Sequence, residues 1–161
     1  SLYTLADVIN AGCRDGELDV RGVSHRGYFA SITDFKSYHD ANMDLIDYKT
    51  ATDLFHDNWP IYTRTNNSCP THYFDTANVS NSVISNGSMI EGTVENSIVG
   101  RGCTIKKGAV IKNCVVLADC TIGENVHIEN LVVDKHAKIT HAKEIIRPAD
   151  EPGYIKRNDT L

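Results

Sequence analysis

The side chains able to do chemistry in this 161-residue chain are seven histidines, five cysteines and an uneven set of lysines and arginines. A histidine such as His127 or His136, set in a groove between subunits, can act as a general base and deprotonate an acceptor group, although the expected reading of the histidines here is solvated surface, with no catalytic residue and no metal. His136 and His141 are spaced suggestively for a zinc ion at a subunit boundary. The five cysteines, Cys103 and Cys120 among them, include no C-x-x-C pair. An odd count argues against a complete disulfide framework, so all five read as reduced thiols. Between positions 99 and 143 there are seven bases and four acids, a local charge of +3.

These groups lie in a repeated pattern that must position them. The phrases Asn81-Ser82-Val83-Ile84, Asn96-Ser97-Ile98-Val99, Asn113-Cys114-Val115-Val116 and Asn130-Leu131-Val132-Val133 recur with a first interval of fifteen and two of seventeen. A short, nearly fixed period carried by β-branched residues marks a solenoid of stacked coils. Three inward ladders can be written: Val79, Val94, Ile111, Ile128; Ile84, Val99, Val116, Val133; and Ile90, Ile105, Ile122, Ile139. Three sides per coil imply a triangular prism. The step from third ladder to first is six positions in the later coils but four between Ile90 and Val94, which explains the one shortened interval. Asparagine suits the corners because it tolerates left-handed backbone. The longer interval also stacks Cys103 on Cys120, with Ala137 one coil further. A zinc site of three histidines would want its third near position 102, where Gly100, Arg101 and Gly102 stand.

The rest of the chain differs in character. Residues 1–58 carry ten acids and five bases, while residues 59–161 carry eleven of each, so all net acidity lies outside the repeats. That balance gives no sign of nucleic-acid binding. No apolar stretch or leader points to a membrane or to secretion, and the expected compartment is the cytoplasm. Leu2, Leu5, Val8 and Ile9 predict a short helix stopped at Gly12. Val20 to Ile32 reads as two strands, and Thr33 or Asp34 caps a second helix with Phe35, Tyr38, Asn42 and Leu45 on one face. The expected organisation is therefore 1–58 as the end of an α/β domain, 59–78 as a linker around Pro60 and Pro70, 79–144 as the β-helix, and 145–161 as an extended tail.

Two motifs bring a family into view. The coil sequences I-G-E-N-V-H-I (122–128) and V-V-D-K (132–135), preceded by G-Y-F-A-S-I-T-D-F-K-S-Y-H-D-A-N-M-D-L (27–45) and a W-P-I-Y-T linker, resemble the C-terminal part of bacterial glucose-1-phosphate adenylyltransferase. The nearest likeness is to its non-catalytic GlgD-type glycogen biosynthesis subunit. The resemblance implies a left-handed parallel β-helix of hexapeptide coils joined to a nucleotidyltransferase domain. It implies that the chain is the end of a longer, oligomeric protein with no cofactor of its own. Catalytic members make ADP-glucose from ATP and glucose 1-phosphate with magnesium held by aspartates. Where such members carry a metal-binding aspartate in W-x-D-V-G-T, this chain reads Phe29-Ala30-Ser31-Ile32-Thr33, and a serine hydroxyl is a poor replacement. Asp34 would serve only if the alignment were shifted.

The resemblance thus implies a regulatory and assembly role beside a catalytic partner subunit, inactive alone. Lys135 in V-D-K is the first candidate for binding a phosphorylated or small anionic effector, with Lys138 and Lys143 behind it. The alternatives are part of an active sugar nucleotidyltransferase, or a hexapeptide-repeat acyltransferase.

Overall fold

The computed structural model describes residues 3–161. Its C-terminal part is a parallel β-helix made of three five-stranded sheets, in which each strand pairs with the strand one coil away. All three predicted ladders stand in register. Val79, Val94, Ile111 and Ile128 are aligned across the first sheet. Ile84, Val99, Val116 and Val133 run through the second, and Ile90, Ile105, Ile122 and Ile139 through the third. Ten of these twelve are fully buried, Val79 and Ile84 of the first coil being only partly covered. Burying each is worth roughly 1.5–3 kcal/mol.

The stack is longer at both ends than the ladders alone suggest. A strand at His72–Tyr73 pairs with Met89–Ile90 below the first predicted coil. At the other end residues 145–161 are not a free tail. Ile145 continues the first ladder after Ile128, and Ile155 continues the second after Val133. Thr160 then bridges Lys138, and the Leu161 carbonyl accepts the amides of Thr140 and His141, both at 2.7 Å. The step from first to second ladder doubles here from five positions to ten, the excess forming a loop braced by Arg147 and Glu151 at 3.6 Å. The short corner between Ile90 and Val94 has its own requirement. A Cβ at Gly92 would lie 2.5 Å from the Ala109 carbonyl oxygen, so only glycine fits there.

The repeated asparagines occupy the corners as expected: Asn81, Asn96, Asn113 and Asn130 all have φ between 42° and 55°. They also bond to one another. The Asn81 amide donates to Asn96 Oδ1 at 2.8 Å, and the Asn96 amide donates to Asn113 Oδ1 at 2.7 Å. Asn96→Ala loses both bonds and places a Cβ-bearing residue without a local side-chain bond in left-handed backbone, a cost of about 2 kcal/mol. Asn96→Gly loses the bonds alone. Thermal melts should rank wild type above Gly and Gly above Ala; equal Ala and Gly variants would show that the backbone conformation contributes nothing.

Cys103, Cys114 and Cys120 are buried free thiols. The Cys103 and Cys120 thiols donate to the carbonyls of Leu117 and Asp134, at 3.1 and 3.0 Å. Burial pushes the Cys114 thiol up to about 12, and hydrogen bonding with Cys120 together with burial raises Cys103. Cys103 and Cys114 are therefore packing groups rather than nucleophiles, while hydrogen bonding with Cys103 lowers Cys120.

The N-terminal part is helical. Helix α1 spans Leu5–Arg14, capped by Thr4 and Asp7; the expected contribution of Leu2 lies outside the described residues. The helix passes through Gly12 and ends before the left-handed Gly16, φ 72°; Gly12 instead makes room for Leu18, whose Cδ1 a Cβ would meet at 2.5 Å. Val20 to Ile32 forms no strand: the segment has no neighbouring strand to pair with among the described residues, and β-branched composition alone cannot make a sheet. Helix α2 spans Phe35–Asp44 with Asp34 as its cap, and a further helix α3, Tyr48–Leu54, is capped by Asp47.

Helix α2 is what joins the two parts. On the outer face of the second sheet the strands present Val83, Ile98, Val115, Val132 and Tyr154 in register. Helix α2 packs against the strand holding Val115. Val115 and Val132 are as buried as the inner ladder although they point outward. His39 of α2 is buried and its Nε2–H donates to the Asn113 carbonyl at 2.8 Å. Phe35 meets Tyr154 edge to face at 5.8 Å.

Candidate functional site

A cationic concavity is formed where five segments meet. A cleft of about 460 Å³ is lined by Arg64, Arg101, Asp119, Lys135, His136 and Arg157, with Ala118 at its floor. The coil corners set this geometry. Asp119 N–H donates to the Arg101 carbonyl at 2.8 Å, His136 N–H to the Ala118 carbonyl at 3.1 Å, and Asn158 N–H to the Lys135 carbonyl at 3.1 Å. Arg101, Ala118 and Lys135 are thus successive rungs of one corner. Strand spacing separates Arg101 from Lys135 by about 9.6 Å, and the small alanine between them leaves a hollow. Gly102, Asp119 and His136 follow in left-handed backbone, with φ of 67°, 61° and 63°.

Two outer segments close the cleft. Arg101 Nη1 donates to the Arg64 carbonyl at 2.9 Å, tying the linker to the coils. Arg157 arrives from the last coil. Lys135 is fixed through its backbone: its N–H donates to Asp134 Oδ1 at 2.6 Å, while the Tyr154 hydroxyl donates to Asp134 Oδ2 at 2.6 Å. The bond from Tyr154, then that from Lys135, hold the Asp134 carboxyl below its usual range, so it stays ionised and keeps this arrangement. Among the described residues Asp119 is the single carboxylate lining the cleft, its Oδ2 lying 3.6 Å from His136 Nδ1. Four permanent cations against one carboxylate suit a small polyanion, which guanidinium groups hold in two-point contacts.

Of the three candidate lysines the structure brings only Lys135 to this cleft. Lys138 projects from the outer face of the third sheet, in register with Thr121, and Lys143 offers its carbonyl to the His127 amide. Arg64, Arg101 and Arg157 escaped the sequence reading. Arg101 had a usable signal, since it precedes Lys135 by two full periods. Arg64 and Arg157 had none, because they reach the cleft through a linker and through a coil of irregular length.

The histidines separate as well. His127 Nε2 is engaged with Glu129 Oε1 at 2.6 Å on the outer face of the first sheet, whereas His136 lines the cleft. Among the described residues no group of three or more His, Cys, Asp or Glu is placed to hold a metal ion. The magnesium that the family resemblance suggests does not fit the residues here. Ser31 offers an exposed hydroxyl, and Asp34 accepts the Ser37 amide at 2.7 Å as the cap of α2. That bond also holds the Asp34 carboxyl below its usual range. Among the described residues no helix is long and apolar enough to cross a membrane.

Comparison with known proteins agrees with the fold. A family model described as GlmU-like, C-terminal hexapeptide matches residues 70–151. The chain is 42% identical over 86 residues to glucose-1-phosphate adenylyltransferase of Geobacillus stearothermophilus, covering 53% of this chain and 22% of the relative. It is 38% identical over 133 residues to glycogen biosynthesis protein GlgD of Bacillus subtilis (strain 168), covering 83% of this chain and 39% of that protein. It is 36% identical over 122 residues to glucose-1-phosphate adenylyltransferase of Bacillus mycoides (strain KBAB4), covering 76% and 32%. The chain therefore spans at most 39% of the length of these relatives. With half of its residues matched by that family model and its ladders wound as hexapeptide coils, the chain belongs to the GlmU-like C-terminal hexapeptide family.

Proposed function

We propose that this chain is a regulatory and assembly portion of a glucose-1-phosphate adenylyltransferase system in glycogen biosynthesis, and that the cleft at Lys135 receives a phosphorylated or similar small anionic effector. The observation that carries this reading is the convergence of Arg64, Arg101, Lys135 and Arg157 on one hollow. It is supported by relatives that are named as glucose-1-phosphate adenylyltransferase and as glycogen biosynthesis protein GlgD. The partner is a catalytic subunit of the same enzyme. Apolar side chains left open in the N-terminal part and the linker, such as Val23, Trp59 and Tyr62 at 93%, 83% and 91% exposure, offer surface for that assembly.

The test is to co-express the intact protein with the catalytic subunit and measure ADP-glucose formation against a phosphorylated activator. Lys135→Ala removes one charge-assisted contact, worth about 1.5–3 kcal/mol, so the half-activating concentration should rise about tenfold or more. Lys138→Ala and Lys143→Ala should leave it unchanged. An activator response unaffected by Lys135→Ala would overturn the assignment of the cleft, and unchanged ADP-glucose formation with and without this protein would overturn the regulatory role.

A further inference from the structure

Two of the groups lining the cleft, His136 and Asp119, stand within ion-pair reach of each other. Arg64, Arg101, Lys135 and Arg157 are the basic residues of the lining. His136 is the one histidine in the lining, and histidine is the side-chain type that can switch charge between pH 5 and 8. It faces Asp119 across one coil step, at 3.6 Å, and both side chains are about half exposed. Corner stacking imposes the pairing, because Asp119 and His136 are one period apart and both hold left-handed backbone.

Resting on the cleft as an anion site, we infer that His136 and Asp119 form a proton-controlled gate on its affinity. With the imidazole neutral, the Asp119 carboxylate stands in the cleft uncompensated by its neighbour and opposes an entering anion. Protonation of His136 adds a positive charge to the lining and pairs that carboxylate in the same step. The charged neighbours are Arg101 two rungs away, Lys135 and Asp134 beside it in sequence, Arg64 from the linker and Arg157 from the last coil. Asp134 is a constant background to the change, because the bonds from Tyr154 and the Lys135 amide keep it ionised. Anion affinity therefore rises as pH falls through the imidazole range, and the site couples effector binding to acidity.

Sulfate is the probe of choice, because its own charge is constant between pH 6 and 8. Binding to the full 161-residue chain would be followed through the amide shifts of Arg101, Asp119, Lys135 and His136 at low ionic strength, where surface charges are least screened. Sulfate should bind about three- to tenfold more tightly at pH 6 than at pH 8, a span that one added unit charge at short range through partly exposed surroundings produces. His136→Gln should reduce that ratio to about one, and Asp119→Asn should tighten binding at pH 8. Arg101→Ala should weaken binding at both pH values. Equal affinity at pH 6 and 8 in the wild type, with Arg101→Ala still weakening it, would overturn the gate and leave the anion cleft standing. An unchanged ratio in His136→Gln would do the same. No response of the cleft amides to sulfate at either pH would overturn the anion cleft itself.

Discussion

Val116→Asp unfolds the coils. Val116 is wholly buried in the second inner ladder between Val99 and Val133, where its neighbours are aliphatic and offer a carboxylate no hydrogen bond. An ionised group there loses its hydration without compensation, while a neutral one is still an unsatisfied polar group. The cost is about 4 kcal/mol or more, which for a body of this size lowers the melting temperature by roughly 15–30 °C. The loss should be smaller at pH 4 than at pH 8. Burial raises the pKa of the introduced carboxyl in the folded state, so the penalty grows as pH climbs past its unfolded value. A cooperative melt within a degree or two of wild type would refute the placement of this ladder in the core.

Val115→Asp, one residue earlier, should fail differently. Val115 is equally buried, but it points outward and is covered by α2. A carboxylate there can regain water if the helix lifts away, which costs the α2 contacts and the bond from His39 to Asn113 but leaves the inner ladders intact. Helix α2 should then become sensitive to limited proteolysis, and its amides should exchange about a hundredfold faster or more. Most amides of the coils should keep their protection. A collapse of coil protection as large as in Val116→Asp would mean that helix and prism form one cooperative unit.

The contrast between these two valines also shows what the sequence could tell. The inner ladders were legible because an in-register stack repeats the same burial at the same spacing, and β-branched residues mark it clearly. The docking face was written in the same phrase, since each repeat carries two consecutive apolar residues where a one-sided strand would need one. Its partner was not legible, because α2 shows only a narrow apolar face and its buried anchor is a histidine. The extra coil was hidden for another reason: the lengthened path between Ile145 and Ile155 breaks the period that would have revealed it. The cleft followed the same rule. Lys135 sits on the regular part and could be named from the repeat, whereas Arg157 depends on that lengthened coil and could not.

The strands of this solenoid fix its rise, and the corners alone fix its perimeter. The circuit from Ile84 to Val99 is the shortest, the one from Val99 to Val116 is two positions longer, and the one from Val133 to Ile155 is longer again by five. Each circuit nevertheless climbs the same single strand spacing of about 4.8 Å. Contour length and height are thus decoupled: a corner can gain or lose residues without shifting any rung above or below it. Two such edits already frame the molecule, one tightened around Gly92 and one let out beside Arg147. The second brings Arg157 to the cleft, so a change in perimeter has become a change in what the wall of the prism can hold.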